Sequence, residues 1–214
     1  NIGLIFLEYN RVHKVTNKNI EILSLIGVQI GNVLKNTNSL KKIQDMATMD
    51  KLTQVFNRHS LENALKTEYR KAINSKRPLS AIIFDIDFFK KCNDTYGHQF
   101  GDKVLYIIAQ CAKNAIREDD IIGRYGGEEF VILLPNVSEE NALAIAEKIR
   151  IKISDTVLDY GDGFTNVTAS FGVCSTNMSS NESDLIKKAD TALYYAKRTG
   201  RNKVVKYSVQ LANM

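Results

Sequence analysis

Apolar positions along this chain follow two rhythms, one of helices and one of strands. Across 60–74, Leu61, Leu65, Tyr69 and Ile73 fall on one face at helical spacing, and Arg77-Pro78 closes the segment. Residues 79–84 are then almost continuously apolar, the pattern of a strand buried on both faces, and the run ends on Asp85-Ile86-Asp87. Carboxylates at the carboxyl end of a buried strand stand where α/β sheets place ligands. A turn-rich passage over 93–98 precedes a helix over 101–116 that turns Val104, Leu105, Ile108 and Cys111 inward and carries Asp102 in its first turn. The runs Ile121-Ile122 and 131–134 flank Gly126-Gly127 and read as a hairpin, because glycine enters the positive-φ turns that match strand twist. Pro135 ends the second of these strands. A helix over 138–154 opened by Ser138, a strand over 165–173, a helix over 183–197 and a strand over 203–207 complete the series.

That order of elements predicts an α+β fold, a mainly antiparallel sheet with a split βαββαβ core and helices covering one face. Upstream, residues 2–7 read as a short strand and lead into a long N-terminal helix. In it Leu23, Ile26, Ile30, Val33 and Leu40 fall at a and d spacing, with Thr37 the polar member. Two readings of that series stand side by side, a dimer seam and a face that packs on an upstream body. Residues 35–44 are polar and free of glycine and proline, which suits a stiff helical connector.

Composition narrows the functions without choosing one. At 214 residues, 44% hydrophobic and 25% charged, the chain suffices for one full domain plus an appendage. The net charge of +5 suits an anionic ligand, but no dense Lys/Arg stripe interleaved with aromatics marks a nucleic-acid partner. Cys92, Cys111 and Cys174 are odd in number and lack metal-ligand spacing, as expected of reduced residues in a cytoplasmic protein. No apolar run approaches a membrane span. The chain starts at Asn1 in mid-pattern, so it reads as a piece of a longer protein.

The chemistry gathers at two strand ends. In the expected topology the strand ending at Asp85 lies beside the hairpin, so Asp85 and Glu128 meet at one edge. Two such carboxylates repel unless a cation lies between them, and oxygen-only ligands select Mg²⁺ or Mn²⁺. Lys90, Lys197 and Arg201 supply positive charge for phosphates. The combination points to metal-assisted nucleotidyl or phosphoryl transfer. Each piece also has a plainer reading: a solvated hairpin tip for the glutamates, helix-dipole placement for Asp102, and local turn chemistry for Asn93 and Asp94.

From Asp50 onward the chain resembles the GGDEF family of diguanylate cyclases, in its GGEEF variant. The resemblance rests on Asp85-Ile86-Asp87-Phe88-Phe89-Lys90, Asn93-Asp94, Gly97-His98, Gly101-Asp102, Arg124-Tyr125-Gly126-Gly127-Glu128-Glu129-Phe130, and Lys197 with Gly200-Arg201-Asn202. It implies a core like that of nucleotidyl cyclases and polymerase palms, and condensation of two GTP into cyclic di-GMP across a homodimer. It further implies that Asp85, Glu128 and the Ile86 carbonyl ligate Mg²⁺, with Glu128 also assisting deprotonation of the ribose 3′-hydroxyl. Asn93 and Asp102 would read guanine, and His98, Gly126 and Gly127 would line the nucleotide site. Lys90 would stabilise phosphate charge, and Lys197 and Arg201 would hold the terminal phosphates. For Glu129 a second metal and a structural role accepting backbone hydrogen bonds remain open alternatives.

Arg117-Glu118-Asp119-Asp120 resembles the family's Arg-x-x-Asp motif, which implies that Arg117 and Asp120 bind cyclic di-GMP as an inhibitor, with Lys148 or Arg150 contributing. Gln54-Val55 stands where the family usually has glycine and leucine, and Cys92 replaces a larger aliphatic residue. The first residues resemble the tail of a GAF sensor domain. The domain expectation is therefore a GAF-like remnant over 1–35, a helical linker over 36–49 and the cyclase domain over 50–214. The competing function is a non-catalytic receptor for GTP or cyclic di-GMP.

Overall fold

The computed structural model describes residues 16–46 and 48–213. The chain divides into two compact units, 1–47 and 48–214. The first contains one long helix, α1 (Asn17–Met46). Along it Ile26, Ile30 and Val33 are 46%, 43% and 63% exposed, and Leu23 is half-buried. The Leu40 side chain and the strand expected over 2–7 lie outside the described residues.

The second unit runs α2 (Arg58–Ser75), β1 (Leu79–Ile86), α3 (Phe89–Tyr96), α4 (His98–Lys113), β2 (Ile121–Gly126), β3 (Glu129–Pro135), α5 (Glu139–Ser154), β4 (Leu158–Asp159), β5 (Phe164–Thr165), β6 (Ala169–Ser175), α6 (Glu182–Arg198) and β7 (Val204–Lys206). The main sheet has the order β2-β3-β1-β6-β7. Within it β6 and β7 pair in parallel, while β1 lies in the middle, antiparallel to β3 and β6, and β3 is antiparallel to β2. The result is an α+β fold with a mainly antiparallel sheet.

Helices cover both faces of that sheet rather than one. Ile82, Phe84 and Ile86 join the cluster formed with α4 and α5, which includes Val104, Ile108, Ala146 and Ile149. Their neighbours Ala81 and Ile83 join the opposite cluster, with Leu61 and Leu65 of α2 and Ala189 and Leu193 of α6. A strand alternates its side chains between faces, so the unbroken apolar run of β1 already required two covers. All eight of its residues are buried. Phe84 stacks between Phe130 and Phe171 at centroid distances of 5.1 and 5.0 Å, which joins the three central strands on the α4/α5 face.

Two glycines set how closely helices approach. A Cβ at Gly172 would lie 2.0 Å from the Ala189 carbonyl oxygen and 2.3 Å from the Leu193 nitrogen, so α6 rests directly on β6. A Cβ at Gly101 would lie 1.8 Å from Asn93 Oδ1, so α4 presses against the side chain of Asn93.

Three local expectations shift. The passage over 93–98 is mostly helix, since α3 continues to Tyr96 and only Gly97, at φ 85°, breaks it from α4. Helix α4 therefore begins at His98, and Asp102 falls beyond its first turn, where the dipole explanation for it weakens. The strand over 165–173 is interrupted: Thr165 ends β5, which pairs with β4, and β6 begins only at Ala169. No helix among the described residues is long and apolar enough to cross a membrane.

Candidate active site at the end of the central strand

The register of β1 against β3 sets Asp85 opposite Glu129. Both lie at odd positions, on the sheet face shared by Ile83, Val131 and α6. Because Gly172 seats α6 on that face, Lys197 near its end reaches Asp85 Oδ2 at 2.8 Å. Asp85 is only 6% exposed. Burial pushes its carboxyl up to about 6; Lys197 opposes that shift, and the negative charges of Glu128 and Glu129 add to it. The structure thus brings Asp85, Glu128, Glu129 and Lys197 together. A recess of about 390 Å³ lined by Glu129, Asp190, Tyr194 and Lys197 opens beside them.

The hairpin carrying the glutamates is held by groups outside it. Gly127 takes φ 47°, and its carbonyl accepts from Arg124 Nε at 2.9 Å. Arg124 in turn lies 3.4 Å from Asp50. The Asp50 carboxyl is held below its ordinary range: burial alone would raise it, but the Thr53 hydroxyl at 2.6 Å, the Thr53 N–H at 2.8 Å and Arg124 outweigh burial. The lead-in turn is thereby tied to the glycine turn. Its departure at Gln54 has a visible consequence, since Gln54 sits at φ 56°, a conformation that glycine adopts without strain.

Phe88, just past β1, is also left-handed at φ 56°, and the Arg201 guanidinium lies 4.4 Å from its ring centroid. This brings Arg201 from the α6–β7 loop to the strand end. Asn93 packs on Gly101, next in sequence to Asp102, at the junction of α3 and α4. Lys90 and His98 are exposed on those helices, and among the described residues no hydrogen bond or ion pair joins them to the Asp85 group. Ile86 is buried as the last residue of β1.

Arg117 and Asp120 form a separate feature after α4. Asp120 accepts the Arg117 N–H at 2.9 Å, closing a turn, and burial raises its carboxyl. They line a cavity of about 380 Å³ with Phe56, Asn114 and Ile122. Arg150 is engaged by Glu147 at 2.7 and 2.9 Å and by Asn202 at 2.7 Å, whereas Lys148 is exposed.

Sequence reasoning missed three residues that position this site: Asp50, Arg124 and Asp87. Asp87 is 5% exposed and takes hydrogen bonds from Thr168, Ser170 and Asn202, which lie 81, 83 and 115 residues away. No local pattern announces such partners. For Arg124 a signal existed, a long cationic side chain three residues before the carbonyl of a glycine turn.

Among the described residues no three His, Cys, Asp or Glu side chains form a ready-made metal cage. The donor set nevertheless suits a hard cation, because Mg²⁺ commonly takes one or two carboxylates and completes its shell with water and phosphate oxygens. The negative charge crowded on a buried Asp85 is what such an ion would relieve.

Comparison with known proteins agrees with this geometry. The family described as diguanylate cyclase, GGDEF domain, matches residues 47–203. The chain is 37% identical over 209 residues to the probable diguanylate cyclase DgcT of Escherichia coli, covering 96% of this chain and 46% of DgcT. It is 40% identical over 171 residues to the response regulator PleD of Caulobacter vibrioides, covering 78% of this chain and 38% of PleD. The fold matches the crystal structure of the GGDEF domain of DgcB from Caulobacter crescentus in complex with c-di-GMP. That match has a TM-score of 0.72 and 31% identity, over 75% of this chain and 95% of that one. The chain spans less than half the length of DgcT and PleD.

Proposed function

The chain belongs to the diguanylate cyclase GGDEF-domain family, and on that premise we propose that it condenses two GTP into cyclic di-GMP, releasing two pyrophosphates in the cytoplasm. The observation that carries the reading is the meeting of Asp85, Glu128 and Glu129 at the mouth of a glycine turn, with Lys197 paired to the buried member. Asp85, Glu128 and the Ile86 carbonyl would hold Mg²⁺ or Mn²⁺, leaving Glu129 for a second ion or for backbone donors. Bound there, the ion supplies Lewis-acid polarisation of the α-phosphate.

The remaining work falls to the side chains. Glu128 accepts the proton of the ribose 3′-hydroxyl as its oxygen attacks the α-phosphorus of the opposing GTP, and pyrophosphate leaves. Lys197 exchanges Asp85 for the phosphates and holds the leaving group with Arg201, while Lys90 stabilises charge on the phosphoryl oxygens. Asn93 and Asp102 offer an amide and a carboxylate to the guanine edge. His98 lines the nucleotide site, and Gly126 and Gly127 leave their turn bare for it. Product chromatography after incubation with GTP and Mg²⁺ tests the proposal. Cyclic di-GMP is expected, and Glu128→Gln should cut its yield by about 10²-fold or more in a folded protein. Recovery of bound but unchanged GTP would instead favour the receptor reading.

Two GTP must face each other, so the same reading requires a homodimer, which the exposed series on α1 supports. Ile26→Asp with Val33→Asp should yield a monomer by sedimentation and make the rate steeply dependent on protein concentration. The cavity beside Arg117 and Asp120 supports binding of cyclic di-GMP as an inhibitor there, with Lys148 or Arg150 of α5 contributing.

A further inference from the structure

We propose that Asp87 is a positioning residue for Arg201, an inference that rests on the reading of Arg201 as a holder of the terminal phosphates. Both carboxylate oxygens of Asp87 are occupied. Oδ1 accepts the Ser170 hydroxyl at 2.7 Å, and Oδ2 accepts the Thr168 hydroxyl at 2.7 Å and the Asn202 backbone N–H at 3.0 Å. The Asp87 N–H is itself donated to the Thr168 carbonyl at 2.8 Å. Ser170 and Thr168 belong to β6 and its approach, so together these bonds fix the carboxylate against the sheet and aim one oxygen at the loop after α6.

That loop needs fixing. Gly200, Arg201 and Asn202 stand in succession at φ 116°, 59° and 45°. Left-handed backbone is sterically disfavoured for a non-glycine residue, so two adjacent cases persist only where the surroundings over-determine them. Three anchors do so here. The Arg201 N–H reaches the Ala196 carbonyl at 3.0 Å, the Asn202 side chain accepts from Arg150 at 2.7 Å, and the Asn202 N–H reaches Asp87. Of the three acceptors only Asp87 is a carboxylate, and it is buried.

The next residue completes the arrangement. Phe88 carries the Arg201 guanidinium over its ring at 4.4 Å. Asp87 therefore holds the backbone beside Arg201 while Phe88 holds its side chain, and both stand within three residues of Asp85. The strand that presents the proposed metal ligand thus also sets the register of the phosphate-binding arginine, so both ends of a bound triphosphate are referred to one rigid element.

The test separates this from a general structural role by using two ligands on the intact protein. Binding of 3′-deoxy-GTP, which lacks the attacking hydroxyl, and of GMP, which lacks the terminal phosphates, is measured with Mg²⁺ by calorimetry. Asp87→Asn should weaken 3′-deoxy-GTP roughly tenfold and GMP less than about twofold, the size expected for one misplaced charge-assisted hydrogen bond. Arg201→Ala should show the same selectivity, and the double variant should bind no more than about twofold worse than Arg201→Ala alone. Equal weakening of both ligands by Asp87→Asn, or independent multiplication in the double variant, overturns the inference while leaving Arg201 as a phosphate holder. An Arg201→Ala protein without selective loss overturns the phosphate reading itself, and this inference with it. Should Asp87→Asn fail to fold, Thr168→Val removes one donor from the same oxygen and should give a smaller loss, about threefold, again confined to the triphosphate. No loss, or an unselective one, then overturns the proposal.

Discussion

Asp85 and Asp87 stand two residues apart at one strand end and are equally buried, yet their surroundings differ in kind. Asp87 meets three donors and no like charge among its partners, and each partner belongs to the fold: a β6 hydroxyl, a hydroxyl just before it and a loop amide. Asp85 meets Lys197 and faces two glutamates, and its carboxyl is driven up to about 6. A buried carboxylate whose acceptors are filled by backbone and hydroxyl donors stabilises the chain around it. One crowded by like charge stores an unfavourable term that a cation relieves. Burial alone does not separate structural from reactive acids, whereas the identity of the neighbours does.

Exchanging what each acid does gives the largest expected effect. Asp85→Asn should reduce cyclic di-GMP synthesis by about 10²-fold or more while leaving the melting temperature of the metal-free protein unchanged or higher, since it removes a poorly solvated charge. Asp87→Ala should show the reverse balance. It leaves two hydroxyls and an N–H without their acceptor and should cost about 3 kcal/mol in denaturant unfolding. If Asp85→Asn proved the more destabilising of the two, the contrast would be wrong.

Acidity offers a milder probe of the same contrast. With its folded-state value near 6 and its unfolded value near 3.8, Asp85 binds a proton more readily in the folded chain. Its stabilising contribution is therefore fully present below about pH 4 and is lost as pH rises through 6. In chelator, the melting temperature of the parent relative to Asp85→Asn should fall between pH 4 and pH 6 and run parallel above it. Parallel curves throughout would show that Asp85 titrates normally.

The smallest effect is expected far from either acid. Gln54 bears left-handed strain in the lead-in turn, so Gln54→Gly should stabilise the fold by up to about 1 kcal/mol at unchanged turnover. A loss of activity there would mean that the turn geometry, fixed through Asp50 and Arg124, depends on the side chain.

The sequence by itself determined the central strand and the hairpin, and that acids stand at their ends. Those signals are local, because an unbroken apolar run, a Gly-Gly pair and charges at strand ends follow from periodicity and backbone sterics within a few residues. The long amphipathic helices were legible for the same reason, and Asp85 and Glu128 stood out as charge where apolar pattern stops, whereas Asn93 was marked only by the family resemblance. Tertiary structure alone decided that Glu129 is the register partner of Asp85, and that Lys197 reaches Asp85 because Gly172 lets α6 touch the sheet. It alone also separated Asp87 from Asp85. Hydrogen bonds spanning 81 to 115 residues leave no trace in local pattern, since a carboxylate's role depends on which donors folding carries to it.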